Sequence, residues 1–163
     1  MQKEIEIEFI KMIHKHQGII HKVCFVYTNC KADKEDLYQE IVLQLWKSYP
    51  SFRKESKFST WLYRVALNTA ITLNKKATFF KNYKTQLSNT STHTEDVDHS
   101  EDIKILYKAI SKLNKIEKAI ILLWLEEKAY SEIAEIVGIT EKNVSVKLVR
   151  SKKKLAKIIK TIS

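Results

Sequence analysis

Three groups of side chains are typed and spaced for chemistry, and in each the chemistry is recognition rather than bond making. Asp36, Gln39 and Glu40 stand three and four residues apart, which gathers two carboxylates and an amide on one helical face. Such a face suits a basic protein surface. Downstream, Phe52-Arg53-Lys54-Glu55-Ser56-Lys57 runs into Phe58-Ser59-Thr60-Trp61-Leu62-Tyr63-Arg64-Val65-Ala66-Leu67-Asn68, where rings alternate with cations and close on an amide. Unstacked bases regain about 1–3 kcal/mol each on aromatic rings, and an asparagine amide can read a base edge. Arg53, Lys54 and Lys57 are suited to neutralising phosphate. Taken singly, Phe52 reads as a core residue, and Trp61 equally as core or as a wedge.

The third group lies near the C-terminus. At about 100° per residue, Val144, Leu148, Ser151 and Leu155 fall on one side of a helix, and Lys142, Ser145, Val146, Val149, Arg150 and Lys153 on the other. Two valines beside an arginine are out of place on a solvated face. Against a major groove they make sense, since apolar groups touch thymine methyls while Arg150 reads guanine or clamps phosphate. The competing reading is an ordinary amphipathic helix whose valines pack on a neighbouring domain.

The elements that must position these groups follow from periodicity. Residues 5–30 keep helical spacing, with Ile5, Phe9, Met12, Ile13, Ile20, Val23 and Val26 as candidate core. The next helix is predicted over 33–48, capped by Asp33, with Leu37, Ile41 and Leu45 as its apolar row. Tyr49-Pro50-Ser51 makes a turn, and a helix runs from about 58 to about 76. Residues 77–102 have few large apolar groups and no period, so they read as a flexible acidic linker. Helical spacing returns at 103, with Ile103, Leu106, Ile110 and Leu113, then Glu117 to Leu125. Ser131 to Val137 forms a short helix, and Gly138 suits its left-handed end. Thr140 caps the following helix, and Ile139 can staple to Val144. That is a DNA-binding helix-turn-helix pattern.

Composition agrees. The 163 residues are 44% hydrophobic, enough for one ordinary domain or two small ones, and hold only two glycines and one proline. So few turn-formers disfavour a sheet-rich fold and predict all-α. Net charge is +10, split as +5 over residues 1–76, −3 over 77–102 and +8 over 103–163. Two basic blocks flank an acidic connector, and basic blocks capture polyanions. Cys24 and Cys30 are the only cysteines, as expected of a reduced cytoplasmic chain rather than a disulfide scaffold. His14, His16, His21 and Cys24 lack a second tight pair, so no metal is expected. The N-terminus lacks a signal-peptide layout. The longest apolar run, Ala119 to Leu125, is far short of the roughly 20 residues of a membrane span.

Asp36-Leu37-Tyr38-Gln39-Glu40 and Phe58-Ser59-Thr60-Trp61-Leu62 resemble the two signature helices of region two in extracytoplasmic-function (ECF) sigma factors. Residues 103–160, with Ser131-Glu132-Ile133-Ala134 and Val144 to Arg150 as the clearest part, resemble region four. The resemblance implies two small helical domains, region two at 1–76 and region four at 103–163, joined by the linker 77–102. It implies that Asp36, Gln39, Glu40 and Trp46 meet core RNA polymerase. It also implies that Phe52, Arg53, Lys54, Lys57, Trp61, Arg64 and Asn68 serve the −10 element, with Phe52 and Asn68 bracketing a flipped base. Lys142, Ser145, Val146, Val149, Arg150 and Lys153 are assigned to the −35 element on the same ground. The family's acidic linker threads polymerase channels, a role that Glu95, Asp96, Asp98, Glu101 and Asp102 fit. An anti-sigma partner is a family habit. Departures are Asn114 in place of the usual proline, Asn143 in place of threonine, and Ser145-Val146 where a basic residue and a serine are common.

The expected function is therefore an alternative sigma factor that brings core polymerase to promoter DNA and helps melt the −10 region. It needs no cofactor and does no catalysis: no nucleophile–base pair, glycine-rich phosphate loop or metal set is recognisable. A stand-alone helix-turn-helix regulator is the first alternative, though it leaves residues 33–68 without a role. An interaction protein, such as an anti-sigma antagonist or RNA-binding adaptor, is the second.

Overall fold

With almost no glycine or proline to interrupt it, the chain is helical over most of the described residues. The computed structural model describes residues 1–84 and 100–163, side chains included except at 74–84. The fold is all-α, with eight helices among the described residues. They fall into two compact units, residues 1–94 and 95–163.

The first unit is built from α1 (Gln2–Lys15), α2 (Gln17–Tyr27), α3 (Lys31–Ser48) and α4 (Phe58–Lys84), with a 3-10 turn at Tyr49–Ser51. The segment with helical spacing over 5–30 forms two helices that meet at His16, whose ring nitrogen Nδ1 lies 3.0 Å from the Met12 carbonyl. α4 packs against both α2 and α3. Its Phe58, Leu62, Tyr63, Ala66, Leu67 and Ala70 are buried against Ile20, Val23 and Val26 of α2 and Leu37, Ile41 and Leu45 of α3. Phe9 and Ile13 complete this core from α1, whereas Ile5, expected inside, is exposed. It lies in the first turn of α1, beyond the part of the helix that the bundle covers.

Two boundaries differ from expectation. α3 begins at Lys31 with Cys30 as an extended N-cap lacking a side-chain cap bond, so Asp33 is not the cap. Lys31 and Ala32 continue the helix readily, and Asp33 instead places its charge in the first turn, at the positive end of the helix dipole. α4 runs to Lys84 rather than about 76, since residues 75–84 hold neither glycine nor proline to end it. Of the expected linker, residues 85–99, including Glu95, Asp96 and Asp98, lie outside the described residues. Glu101 and Asp102 form the acidic first turn of the next helix.

The second unit comprises α5 (Glu101–Ile110), α6 (Lys115–Leu125), α7 (Tyr130–Val137) and α8 (Glu141–Ile162). α8 packs against the other three. Ile110, Leu113, Ile120, Ile121, Leu123, Ile133, Val144 and Leu148 make its core, while Ile103, expected inside, is exposed in the first turn of α5. Asn114, where proline is usual in the resembled family, starts α6 with a full capping box. Its Oδ1 accepts from the Glu117 backbone N–H at 2.9 Å, and Glu117 Oε1 accepts from the Asn114 N–H at 3.4 Å. Glu117 is itself buried, and its carboxylate takes a bond from Ser151 Oγ at 3.4 Å and pairs with Lys154 Nζ at 3.1 Å. One side chain thus starts α6 and ties it to α8.

Removing the Glu117 side chain takes away the reciprocal half of the capping box and strands the buried Ser151 hydroxyl, so Glu117→Ala is expected to lower stability by about 2–4 kcal/mol. Lys154 is more than half exposed, and Lys154→Ala is expected to cost under about 1 kcal/mol. Urea unfolding of the two variants beside the parent measures both. Equal losses would mean that the ion pair, not the cap and buried acceptor, carries the energy.

Candidate nucleic-acid interface

Burying the Leu37, Ile41 and Leu45 row of α3 turns its polar row outward. Asp36 and Gln39 are exposed, and Glu40 is half-buried, accepting from Gln44 Nε2 at 3.0 Å. Leu43, seven residues after Asp36 and therefore on the same face, is an exposed apolar residue in this acidic strip. Sequence reading passed over it, although its offset from the buried row was the available signal. Trp46 is half-buried, its ring 5.0 Å from that of Phe9.

From Trp46 a continuous set of ring contacts crosses the first unit. Phe9 meets Tyr49 at 5.2 Å, Tyr49 meets Trp61 at 6.2 Å, and Phe52 meets Trp61 at 4.9 Å. Phe58 lies 5.4 Å from Trp61 and 5.8 Å from Phe52, and His16 closes the series 5.0 Å from Phe58. The Tyr49 hydroxyl has its pKa raised, first by burial and then by the neighbouring Glu8 carboxylate and a hydrogen bond with it. Phe52 and Trp61 are both half-buried, so neither the pure core role nor the free wedge describes Trp61. Phe9, Tyr49 and His16 belong to the same cluster, although sequence reading placed them only as a core residue, a turn residue and a histidine without a metal set, because periodicity does not show which rings meet.

Around this cluster the cations stand in solvent. Arg53, Lys54 and Lys57 are exposed on the loop before α4, and Lys54 holds a left-handed backbone with φ of 58°. A non-glycine residue there costs of order 1 kcal/mol, a strain found often at binding loops. Trp61, Arg64 and Asn68 recur at helical spacing along one face of α4, with Arg64 and Asn68 exposed. Trp61, Arg64 and Asn68 thus share one face of α4, and Phe52 of the loop joins that face through its contact with Trp61.

In the second unit, Gly138 ends α7 in the left-handed region with φ of 82°, and its N–H donates to the Ala134 carbonyl at 2.8 Å. Thr140 caps α8 by accepting from the Asn143 N–H at 3.1 Å. Asn143, unusual for the resembled family, contributes only its backbone to that cap. Val144, Leu148, Ser151 and Leu155 are buried, and Lys142, Ser145, Val146, Val149, Arg150 and Lys153 are all exposed. Val146 and Val149 keep 43% and 52% of their surface in solvent. Lys152 is turned away over the Trp124 ring at 4.1 Å.

Among the described histidines, His16 and His21 meet rings rather than one another. His21 stacks on Tyr38 at 4.9 Å, its pKa lowered by burial and by Lys34, and burial pushes the Cys24 thiol up to about 12. Among the described residues there is no group of three or more metal-ligating side chains, and no helix is long and apolar enough to cross a membrane.

Comparison with known proteins agrees with this geometry. Residues 12–79 match sigma-70 region 2, and residues 103–155 match sigma-70, region 4. The chain is 29% identical to an ECF RNA polymerase sigma-E factor of Haemophilus influenzae, over 88% of this chain and 83% of that relative. It is 24% identical to the ECF RNA polymerase sigma factor SigW of Bacillus subtilis, over 94% and 90% of the two chains. The sigma factor RpoE of Bartonella quintana, solved with the anti-sigma factor NepR, matches with a TM-score of 0.72 at 18% identity, over 97% and 98% of the two chains. CnrH, solved with the cytosolic domain of CnrY, matches with a TM-score of 0.64 at 18% identity, over 95% and 89%. At that identity the two structures speak for the fold alone.

The packing separates structural from exposed members of the first surface. Phe52→Ala and Trp61→Ala are expected to cost about 1–3 kcal/mol through lost ring contacts, and Asn68→Ala, at an exposed position, under about 0.5 kcal/mol. Thermal unfolding of the three variants checks the order. A loss at Asn68 equal to that at Trp61 would mean that its amide has a structural task.

Proposed function

The chain belongs to the ECF group of sigma factors and directs RNA polymerase to promoters, and we propose how its surfaces divide that work. Residues 1–76 act as region two and 103–163 as region four, and the connector of 77–102 opens on the end of α4 and closes on the first turn of α5. Asp36, Gln39, Glu40 and Trp46 dock on core polymerase, the acidic strip of α3 meeting a basic surface with Leu43 at its centre. Phe52, Arg53, Lys54, Lys57, Trp61, Arg64 and Asn68 engage the −10 element as it opens. Rings receive bases that have lost their stack, and cations hold the phosphates of the separated strand. Lys142, Ser145, Val146, Val149, Arg150 and Lys153 read the −35 duplex in the major groove. The observation that carries this reading is the order of the two units: an acidic strip beside a ring-and-cation surface, followed by a helix-turn-helix with an exposed apolar-basic face.

On this reading the chain is a cytoplasmic initiation factor that leaves bond making to the polymerase. An anti-sigma partner, like the one solved with the Bartonella neighbour, would restrain it. Reconstitution with cognate core polymerase, read as promoter-specific transcripts, tests the whole. A stand-alone regulator would instead bind its duplex without polymerase and yield no such transcripts.

Two narrower outcomes are expected. Asp36→Lys with Glu40→Lys should abolish co-purification with core polymerase while circular dichroism shows unchanged helix content; wild-type recovery of core would remove the docking assignment. Arg150→Ala should relax preference at one −35 base, losing about 1–3 kcal/mol there, whereas Lys153→Ala should weaken all sequences alike. Selection of a −35 library with holoenzyme separates the two, and an unchanged base preference would make Arg150 a backbone anchor.

A further inference from the structure

α8 is longer than its reading task requires. It runs unbroken for 22 residues from Glu141 to Ile162, about 33 Å at 1.5 Å per residue, and its proposed base-facing residues end near Lys153. The stripe opposite the buried Val144, Leu148, Ser151 and Leu155 nevertheless continues, through Lys157 to Lys160. We propose that Lys157 and Lys160 form a second, sequence-independent contact, holding the phosphodiester backbone of duplex DNA beyond the bases that Arg150 faces. This rests on α8 being the −35 reading helix.

Three observations point the same way. First, the lysines of this half of α8 are sorted by partner. Lys152 lies over the Trp124 ring and Lys154 pairs with Glu117. Lys153, Lys157 and Lys160 are exposed and have no side-chain partner among the described residues. Second, no acidic residue follows Glu141. A solvated helix face ordinarily interleaves both signs, whereas Lys153, Lys157 and Lys160 stand four and three residues apart and repel. The helix dipole accounts for Lys160 in the last turn, but not for Lys153 and Lys157. Third, the reach fits. Lys157 and Lys160 lie about 10 and 15 Å along the axis from Arg150, and the major groove is about 8.5 Å deep. A helix that sets Arg150 at base edges and climbs out of the groove carries both ammonium groups to the phosphate rim.

The experiment measures binding of holoenzyme, made from the full chain and core polymerase, to two duplexes across a salt series. One carries a −35 element chosen by library selection, and the other a scrambled element. Lys157→Gln with Lys160→Gln should lower the slope of log K against log salt by about two on both duplexes and leave the ratio between them unchanged. Lys104→Gln with Lys108→Gln, a charge-matched pair of exposed lysines on α5, away from the cleft that Lys112 and Lys157 line together, should leave the slope in place. An unchanged slope in the α8 variant overturns the proposal, as does an equal drop in the control pair, which would assign the effect to net charge. Failure of parent holoenzyme to prefer the selected duplex would overturn the underlying −35 reading instead. Matching melting temperatures of parent and variants keep a folding defect from imitating either result.

Discussion

The ring contacts that run from Trp46 through Phe9, Tyr49, Phe52 and Trp61 to Phe58 and His16 hold the first unit's two surfaces in register. They join α1, α3, the 3-10 turn, the loop and α4, so the acidic strip and the ring-and-cation surface cannot move independently. Aromatic pairs contribute about 0.5–1.5 kcal/mol each beyond their burial, and base stacking on a protein ring about 1–3 kcal/mol. These ranges overlap. On the role proposed for Phe52 and Trp61, an arriving base would exchange one ring contact for another at little net cost, as a surface that takes up bases only after a duplex opens would require. A fully buried tryptophan would resist the exchange, and a fully exposed one would have no defined position before it.

The second unit solves a different problem. A recognition helix must keep a fixed azimuth, because a rotation of one residue, 100°, would bury Arg150 and expose Leu148. Three devices set it. The Thr140 cap fixes the start of α8, Glu117 holds Ser151 and Lys154, and Trp124 receives Lys152. The last two grip α8 on its fourth turn, at Ser151, Lys152 and Lys154, none of which is among the residues proposed to read DNA, so they position the helix without occupying that surface. Gly138 makes the turn into it possible, at a φ that an L side chain rarely adopts.

Much of this was legible from residue order, for reasons that differ by element. The α8 faces were readable because Val144, Leu148 and Leu155 are spaced against cations, and a helix has only one wheel. Gly138 and Thr140 were readable because turn and cap chemistry are local. The start of α3 was misread since Asp33 is a better cap than Cys30 by propensity, yet the chain turns before Lys31 and the cap follows the turn. Ile5 and Ile103 were misplaced because periodicity assigns a face and not the point along a helix where its neighbours stop. The ring cluster and the Glu117 tie to Ser151, 34 residues away, are tertiary, although Asn114-Lys115-Ile116-Glu117 already carried the spacing of a capping box.

The distribution of arginine supports the division of surfaces on independent ground. Of 29 basic residues only Arg53, Arg64 and Arg150 are arginine, so lysine is this chain's default cation. All three arginines are exposed, and each lies on a surface proposed to meet DNA: one on the loop, one on α4 beside Trp61 and Asn68, one on the reading face of α8. A lysine suffices wherever a point charge is enough, as at a phosphate or over the Trp124 ring. The planar fork of arginine gains where geometry matters, against a guanine edge, a phosphate held at two oxygens, or an unstacked base. In a lysine-rich chain an arginine is thus the more selective marker, and the three converge on the loop, α4 and α8 while none falls on α1, α2, α3, α5, α6 or α7.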